Sequence, residues 1–193
     1  MGHESLEPSD SEIIRACKRG DAEKFRLLYD RYHEKGFRIA YRFLGNREDA
    51  MEVLQEAFVK AFQGLREFRF GSSFGTWFYR IVVNASLDRR RIRAHKVGHL
   101  EEELDVSSGE MSLGRPSAEP IEMAERKELA AEIQKAIEDL SEDHRAVFIL
   151  HVIEGVPYKD MAQILRISEG TVMSRLFYAR QNLRQKLKDF VEE

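Results

Sequence analysis

Apolar residues in the first half of this chain recur every three or four positions, the spacing that places them on one stripe of an α-helix. Phe25, Leu28, Tyr29, Tyr32, Phe37, Ala40, Tyr41 and Leu44 form one such stripe; Ala50, Val53, Leu54, Ala57, Phe58, Ala61 and Phe62 form the next. Ser11 is placed to cap a first short helix carrying Ile13, Ile14 and Cys17, and Asp21 to cap the second. The stretch GNREDA then supplies a turn and a fresh helix start. Gly36 falls inside the second helix, at a propensity cost of about 1 kcal/mol relative to alanine that the sequence does not explain. After the glycine-broken FRFGSSFGT, the stretch WFYRIVVNASLDRRRIR predicts a fourth helix ending in a basic run. Ile81, Val82 and Val83 are strand-like by composition, but their run is short and its flanks are helical.

Periodicity fades between 97 and 120, where three glycines and two prolines fall, and a flexible linker is expected there. Beyond it, Ile133, Ala136, Ile137 and Leu140 mark a helix, and Ser141 is placed to cap EDHRAVFILHVI, with acids in its first turn as the helix dipole prefers. The Val147–Ile153 run is strand-like in composition; the cap and the length predict a helix. Gly155 and Pro157 precede YKDMAQILRISEGTVMSRLFYARQNL, two short periodic segments around a turn-like RISEG. Met161, Ala162 and Leu165 are expected to face Val172, Leu176 and Ala179 across that turn. None of the four prolines falls inside a proposed helix. The expected fold is all-α, two small helical domains joined by a flexible linker: a tail over 1–10, one domain over 11–96, the linker over 97–120 and a second domain over 121–193.

Composition refines the partners. No apolar run approaches the roughly 18–20 residues of a membrane span, and MGHESLEPSDSE has neither a basic start nor an apolar export core. The single cysteine, Cys17, makes no internal disulfide, which fits a reducing cytoplasm. The net charge of −3 argues against a free-roaming DNA binder, yet it conceals two basic patches. Asp88–Lys96 carries five basic residues against one acid, and Thr171–Lys188 carries five and no acid. An acidic block, EEELD, lies between them at 101–105.

Two constellations carry candidate chemistry. In a helix-turn-helix the first helix braces the second, whose N-terminal residues meet base edges in the major groove. Ser168 suits the cap of such a second helix, leaving Glu169, Gly170, Thr171, Ser174 and Arg175 at its start. Arg175 could read guanine or bind phosphate, and Thr171 and Ser174 could take either role. Arg180, Arg184, Lys186 and Lys188 are better placed for the DNA backbone. A helical hairpin with a solvated basic face is the plainer alternative. The second constellation is aromatic. Phe68, Phe70, Phe74, Trp77, Phe78 and Tyr79, interrupted by Gly71, Ser72, Ser73 and Gly75, cannot all be core, and exposed rings beside cations suit single-stranded nucleic acid. Enzymatic readings fail: there is no phosphate-cradling glycine loop and no nucleophile elbow. Linker carboxylates do not preorganise a metal site, and His95 with His99 lacks a third ligand. No cofactor and no metal are expected.

Both halves resemble one family, the extracytoplasmic-function (ECF) sigma factors, sigma-E-like members of the sigma-70 superfamily, over nearly all of 11–191. FRLLYDRYHEKGFRIAYRFLGNREDAMEVLQEAFVKAF and FGTWFYRIVVNASLDRRR are similar to the family's region 2, and EGVPYKDMAQILRISEGTVMSRLFYARQNLRQKL to its region 4. Met51, where an acid is usual, and Met161, where isoleucine is common, are small departures. The resemblance implies a non-enzymatic transcription initiation factor that binds core RNA polymerase in the cytoplasm and reads promoter DNA. It places Asp49, Glu52, Gln55, Glu56 and Phe58 on the polymerase. It puts Phe74, Trp77, Arg80, Asn84, Asp88 and Arg91 at a single-stranded −10 element. Ser168, Glu169, Gly170, Thr171, Ser174, Arg175 and Arg180 fall at a duplex −35 element. Whether Arg89–Arg91 meet DNA or polymerase stays open. An anti-sigma partner is implied by the family alone, and no membrane insertion is expected. The linker, extended to roughly 75 Å, would span two turns of duplex; its acids are either RNA-mimicking or a solubilising spacer. A stand-alone helix-turn-helix regulator is the alternative function.

Overall fold

The computed structural model describes residues 7–97, 129 and 132–188, the side chains of 95–97 excepted. The chain divides into two compact units, Met1–Glu103 and Leu104–Glu193. All regular structure among the described residues is helical. The expected linker lies outside them from 98 onward, as do His99 and the side chain of His95, while Val97 still belongs to a helix.

In the first unit α1 spans Asp10–Lys18, and its cap is Ser9 rather than Ser11. Ser9 Oγ accepts the Glu12 N–H at 3.3 Å, and the Glu12 carboxylate accepts the Ser9 N–H at 2.8 Å. These reciprocal bonds satisfy two otherwise orphaned donors. Ser9 Oγ also donates to the Glu12 carboxylate at 2.7 Å, and this bond, ahead of that from the Ser9 N–H, holds the Glu12 carboxyl below its usual range. α1 is tied to the next helix by Asp10, which accepts from Tyr32 Oη and, at 2.8 Å, from Arg31 Nη1. Asp21 caps nothing; it precedes a 3₁₀ turn, Ala22–Lys24, that leads into α2, Phe25–Leu44. Gly45, at φ 69°, ends α2 in the left-handed conformation that glycine adopts without cost. Asn46 then caps α3, Arg47–Gly64, accepting from the Glu48 and Asp49 N–H groups.

A 3₁₀ turn, Leu65–Glu67, and an irregular stretch lead to α4, Phe74–Val97. The sequence pattern places the start of α4 at Trp77; the Ser73 hydroxyl moves it three residues earlier by accepting the Thr76 N–H at 3.0 Å. Helices α2, α3 and α4 enclose a core of Leu28, Ile39, Val53, Ala57, Phe74, Phe78 and Val82. Gly36 has its explanation here. A Cβ at this position would stand 2.9 Å from Leu54 Cδ1 and 3.0 Å from Phe78 Cε1, so any side chain here would force both neighbours to shift.

In the second unit α5 covers 132–138, and α6, Glu142–Phe148, is capped by Ser141 as expected. The strand-like Ile149–Ile153 stays helical but widens into a π-helical turn, closed by the Glu154 N–H on the Ile149 carbonyl at 3.0 Å. α7 spans Tyr158–Leu165 and α8 Glu169–Lys186. Between them Arg166 adopts the left-handed conformation, φ 57°. Met161 and Ile164 are the residues of α7 that are buried, with Ala162 and Leu165 only partly so; the expected packing residue Leu165 therefore yields to Ile164. On α8, Val172, Leu176, Ala179 and Leu183 are buried. Arg145 is 5% exposed and donates to the carbonyls of Ile137, Glu138 and Leu140, closing the C-terminal end of α5.

Candidate functional site

The start of α8 is organised by its own hydroxyls. Ser168 Oγ accepts the Thr171 N–H at 3.0 Å and lies 2.8 Å from Thr171 Oγ1, while Ser174 Oγ donates to the Thr171 carbonyl at 3.1 Å. Arg175 is 26% exposed and forms an ion pair with Asp143 of α6 at 2.6 Å. The hydroxyls and Arg175 thus have partners within the protein, while Ser168, Glu169, Gly170, Ser174 and Arg180 stand exposed. α8 also presents apolar side chains outward: Met173, Phe177 and Tyr178, exposed at 52%, 64% and 53%. The sequence pattern contained this signal. Positions 173 and 177 lie off the buried 172–176–179–183 stripe, where solvent would ordinarily favour polar residues.

The aromatic cluster splits into buried and presented rings. Phe74, counted among the strand-contacting residues, is 2% exposed and stacks on the fully buried Phe78, so it anchors the start of α4 and offers no ring surface. Phe68 is also buried, and half-buried Trp77 packs on it at 5.1 Å between centroids. Phe70 differs. It is 41% exposed, its backbone sits at φ +57°, a conformation costly for a bulky side chain, and two cations, Arg15 at 5.7 Å and Lys18 at 5.3 Å, lie over its ring. Lys18 is fixed by donating to the Phe68 carbonyl at 2.6 Å. Lys18, Arg66, Glu67, Phe68, Arg69 and Phe70 line one open groove. On α4, Trp77, Arg80, Asn84, Asp88 and Arg91 follow helical spacing along one face, with Asn84, Asp88 and Arg91 exposed and Asp88 paired with Arg91 at 3.7 Å.

The third set lies on α3. Gln55 is exposed. Phe58 is 6% exposed against Phe78, Tyr29 and Phe25 and belongs to the core, not to a docking surface. Asp49, Glu52 and Glu56 all accept from Arg89 of α4, at 3.1, 2.7 and 3.2 Å. The Glu52 bond, ahead of that to Asp49, pushes the Arg89 guanidinium still further above its ordinary range. Arg93 approaches the second oxygen of Asp49 at 3.6 Å, and Lys60 the second oxygen of Glu56 at 4.0 Å.

Among the described residues no group of three or more His, Cys, Asp or Glu side chains is placed to hold a metal ion, and no helix is long and apolar enough to cross a membrane. Residues 28–96 match the Sigma-70 region 2 family and residues 130–183 the Sigma-70 region 4 family. The chain is 32% identical to the RNA polymerase sigma-H factor of Pseudomonas aeruginosa over 95% of its own length and 96% of the relative's. It belongs to the ECF sigma factors. Similar relatives include the ECF sigma factor SigW of Bacillus subtilis, 33% identical over 91% of this chain and 95% of SigW, and the sigma-E factor of Escherichia coli K12, 32% identical over 95% and 96%. The fold is shared with CnrH, solved with the cytosolic domain of CnrY, at a TM-score of 0.67 and 24% identity over 94% of this chain and 99% of that one. RpoE of Bartonella quintana, solved with the anti-sigma factor NepR, gives 0.66 and 23% over 86% and 98%. This sigma factor is a non-enzymatic, promoter-directing subunit of RNA polymerase, and its partners are the polymerase and promoter DNA. A stand-alone regulator is not favoured.

Proposed function

We propose a division of labour within this sigma factor. The exposed side chains of α3 engage core polymerase. The groove around Phe70, with the Trp77–Arg91 face of α4, captures the separated −10 strand. The start of α8 reads the −35 duplex. The observation that carries this reading is Phe70: a ring held outward in a costly backbone conformation among cations suits stacking on an unpaired base, and a duplex-only reader has no use for it. At the −35 element, with Arg175 paired to Asp143, the groove-facing contacts fall to Thr171, Ser174, Met173 and Phe177, the last two apolar partners for thymine methyl groups. The protein works in the cytoplasm. It is held inactive by an anti-sigma partner, a regulation supported by the RpoE relative solved with NepR.

Transcription from promoters carrying deoxyuridine in place of thymidine at single −35 positions tests the reading. At a contacted base, loss of one methyl, worth about 0.8 kcal/mol when buried, should weaken holoenzyme binding about fourfold. Phe177→Ala should remove that sensitivity while core binding is preserved; Gln55→Ala with Glu56→Ala should do the reverse. Phe70→Ala should slow strand opening, followed by permanganate reactivity of the −10 thymines. Defects that cannot be separated in this way would overturn the division.

A further inference from the structure

Arg89 and Arg93, in the basic run of α4, pair with acids of α3. The three acids that Arg89 meets sit at helical positions i, i+3 and i+7, so they form one stripe, and like charges spaced this closely on a helix repel. Left to themselves, these side chains would spread among rotamers that separate their charges. One planar guanidinium, with donors fixed in a fork, instead gathers all three. Depth decides what this does. The Arg89 and Asp49 side chains are each 26% exposed, whereas those of Glu52 and Glu56 are 62% and 52% exposed. The guanidinium forms the floor of the cluster and the glutamates its rim, so a partner can reach the carboxylates without displacing Arg89.

We propose that Arg89 is a positioning residue that, anchored on Asp49, holds Glu52 and Glu56 as preformed acceptors for a basic surface of core RNA polymerase. This rests on the assignment of α3 as the polymerase-docking helix. The advantage is preorganisation: long side chains already fixed lose less freedom on association. The opposite role makes the opposite prediction. Were Arg89 merely masking the acids, its removal would raise the negative potential of α3 and tighten binding to a basic partner.

Competition of the full-length chain against labelled wild type for core polymerase distinguishes the two roles. Arg89→Met, which keeps much of the aliphatic stem, should weaken core affinity about tenfold. Arg89→Lys, which keeps the charge but not the fork, should fall between Arg89→Met and wild type. Adding Glu52→Gln to Arg89→Met should weaken binding by less than the two single effects combined, because Arg89 acts through that carboxylate. Circular dichroism at the assay temperature establishes that each variant is folded. An Arg89→Met chain that is folded and binds as well as wild type, or better, while Glu52→Gln weakens binding, overturns the positioning role and leaves the docking face standing. If Glu52→Gln and Glu56→Gln both leave core affinity unchanged, the docking assignment itself fails and the role of Arg89 with it.

Discussion

Gly36 shows how one residue can look wrong in a sequence and be required by the fold. Alanine there would gain about 1 kcal/mol in helix propensity. It would also place a methyl carbon 3.0 Å from the ring of Phe78, which is fully buried. Overpacking of this kind costs typically about 1–3 kcal/mol, so after the propensity gain Gly36→Ala should give a net loss of up to about 2 kcal/mol. Urea denaturation reads the change, and hydrogen exchange should localise it to the first unit; an unchanged midpoint would show that Phe78 can move. The burial of Phe58 and Phe74 is hidden in the sequence for a related reason. Residue type says that a ring is apolar but not which way it faces, and in a helix packed on two sides the buried arc is too wide for periodicity to separate core from surface. Position 74 was further hidden because α4 begins with a hydroxyl cap on Ser73, three residues ahead of where the apolar pattern becomes visible.

At the scale of elements, helix existence and order were legible and boundaries were not. Ser141, Asn46 and Ser168 cap where a turn-plus-acid signature invites it, whereas Ser9 and Ser11 are both plausible caps and only the reciprocal bond to Glu12 selects the former. The widening of α6 into a π-helical turn has no sequence signature beyond its branched residues. Arg145 is the element-level feature that composition concealed, since a lone arginine in a helix reads as solvated surface. Its guanidinium instead satisfies three carbonyls where α5 ends, and its Nη1 is buried without a partner. Loss of the side chain strands those carbonyls, at about 1–3 kcal/mol for each buried acceptor left unsatisfied. Arg145→Ala should therefore loosen α5 and α6, raising amide exchange across the second unit while exchange in the first is unchanged. Arg145→Lys, with no planar fork, should not restore protection. Uniform loss of protection in both units would count against this local role.

For the whole molecule, a net charge of −3 and a promoter-binding function are compatible because the basic residues are clustered and the polymerase brings the remaining affinity. DNA binding by few phosphate contacts is weak and falls off with salt. The chain alone should therefore leave no footprint on its promoter at about 0.15 M salt, and core polymerase should bring protection of both elements at once. A strong, polymerase-independent footprint would show that the basic patches suffice by themselves. The two-part architecture was visible from proline, glycine and charge placement. The contents of each interface were less so, because exposure depends on how helices from distant parts of the sequence cover one another: Arg89 lies 33 to 40 residues from the acids it gathers.

Trp77 is the one tryptophan of the chain, and Phe68 stands between it and Phe70, 5.1 Å from each. A base settling on Phe70 would change the surroundings of the indole two rings away. The protein thus carries a native fluorophore beside its proposed strand-capture surface, and titration with −10 oligonucleotides can be followed by its own emission, with no dye attached.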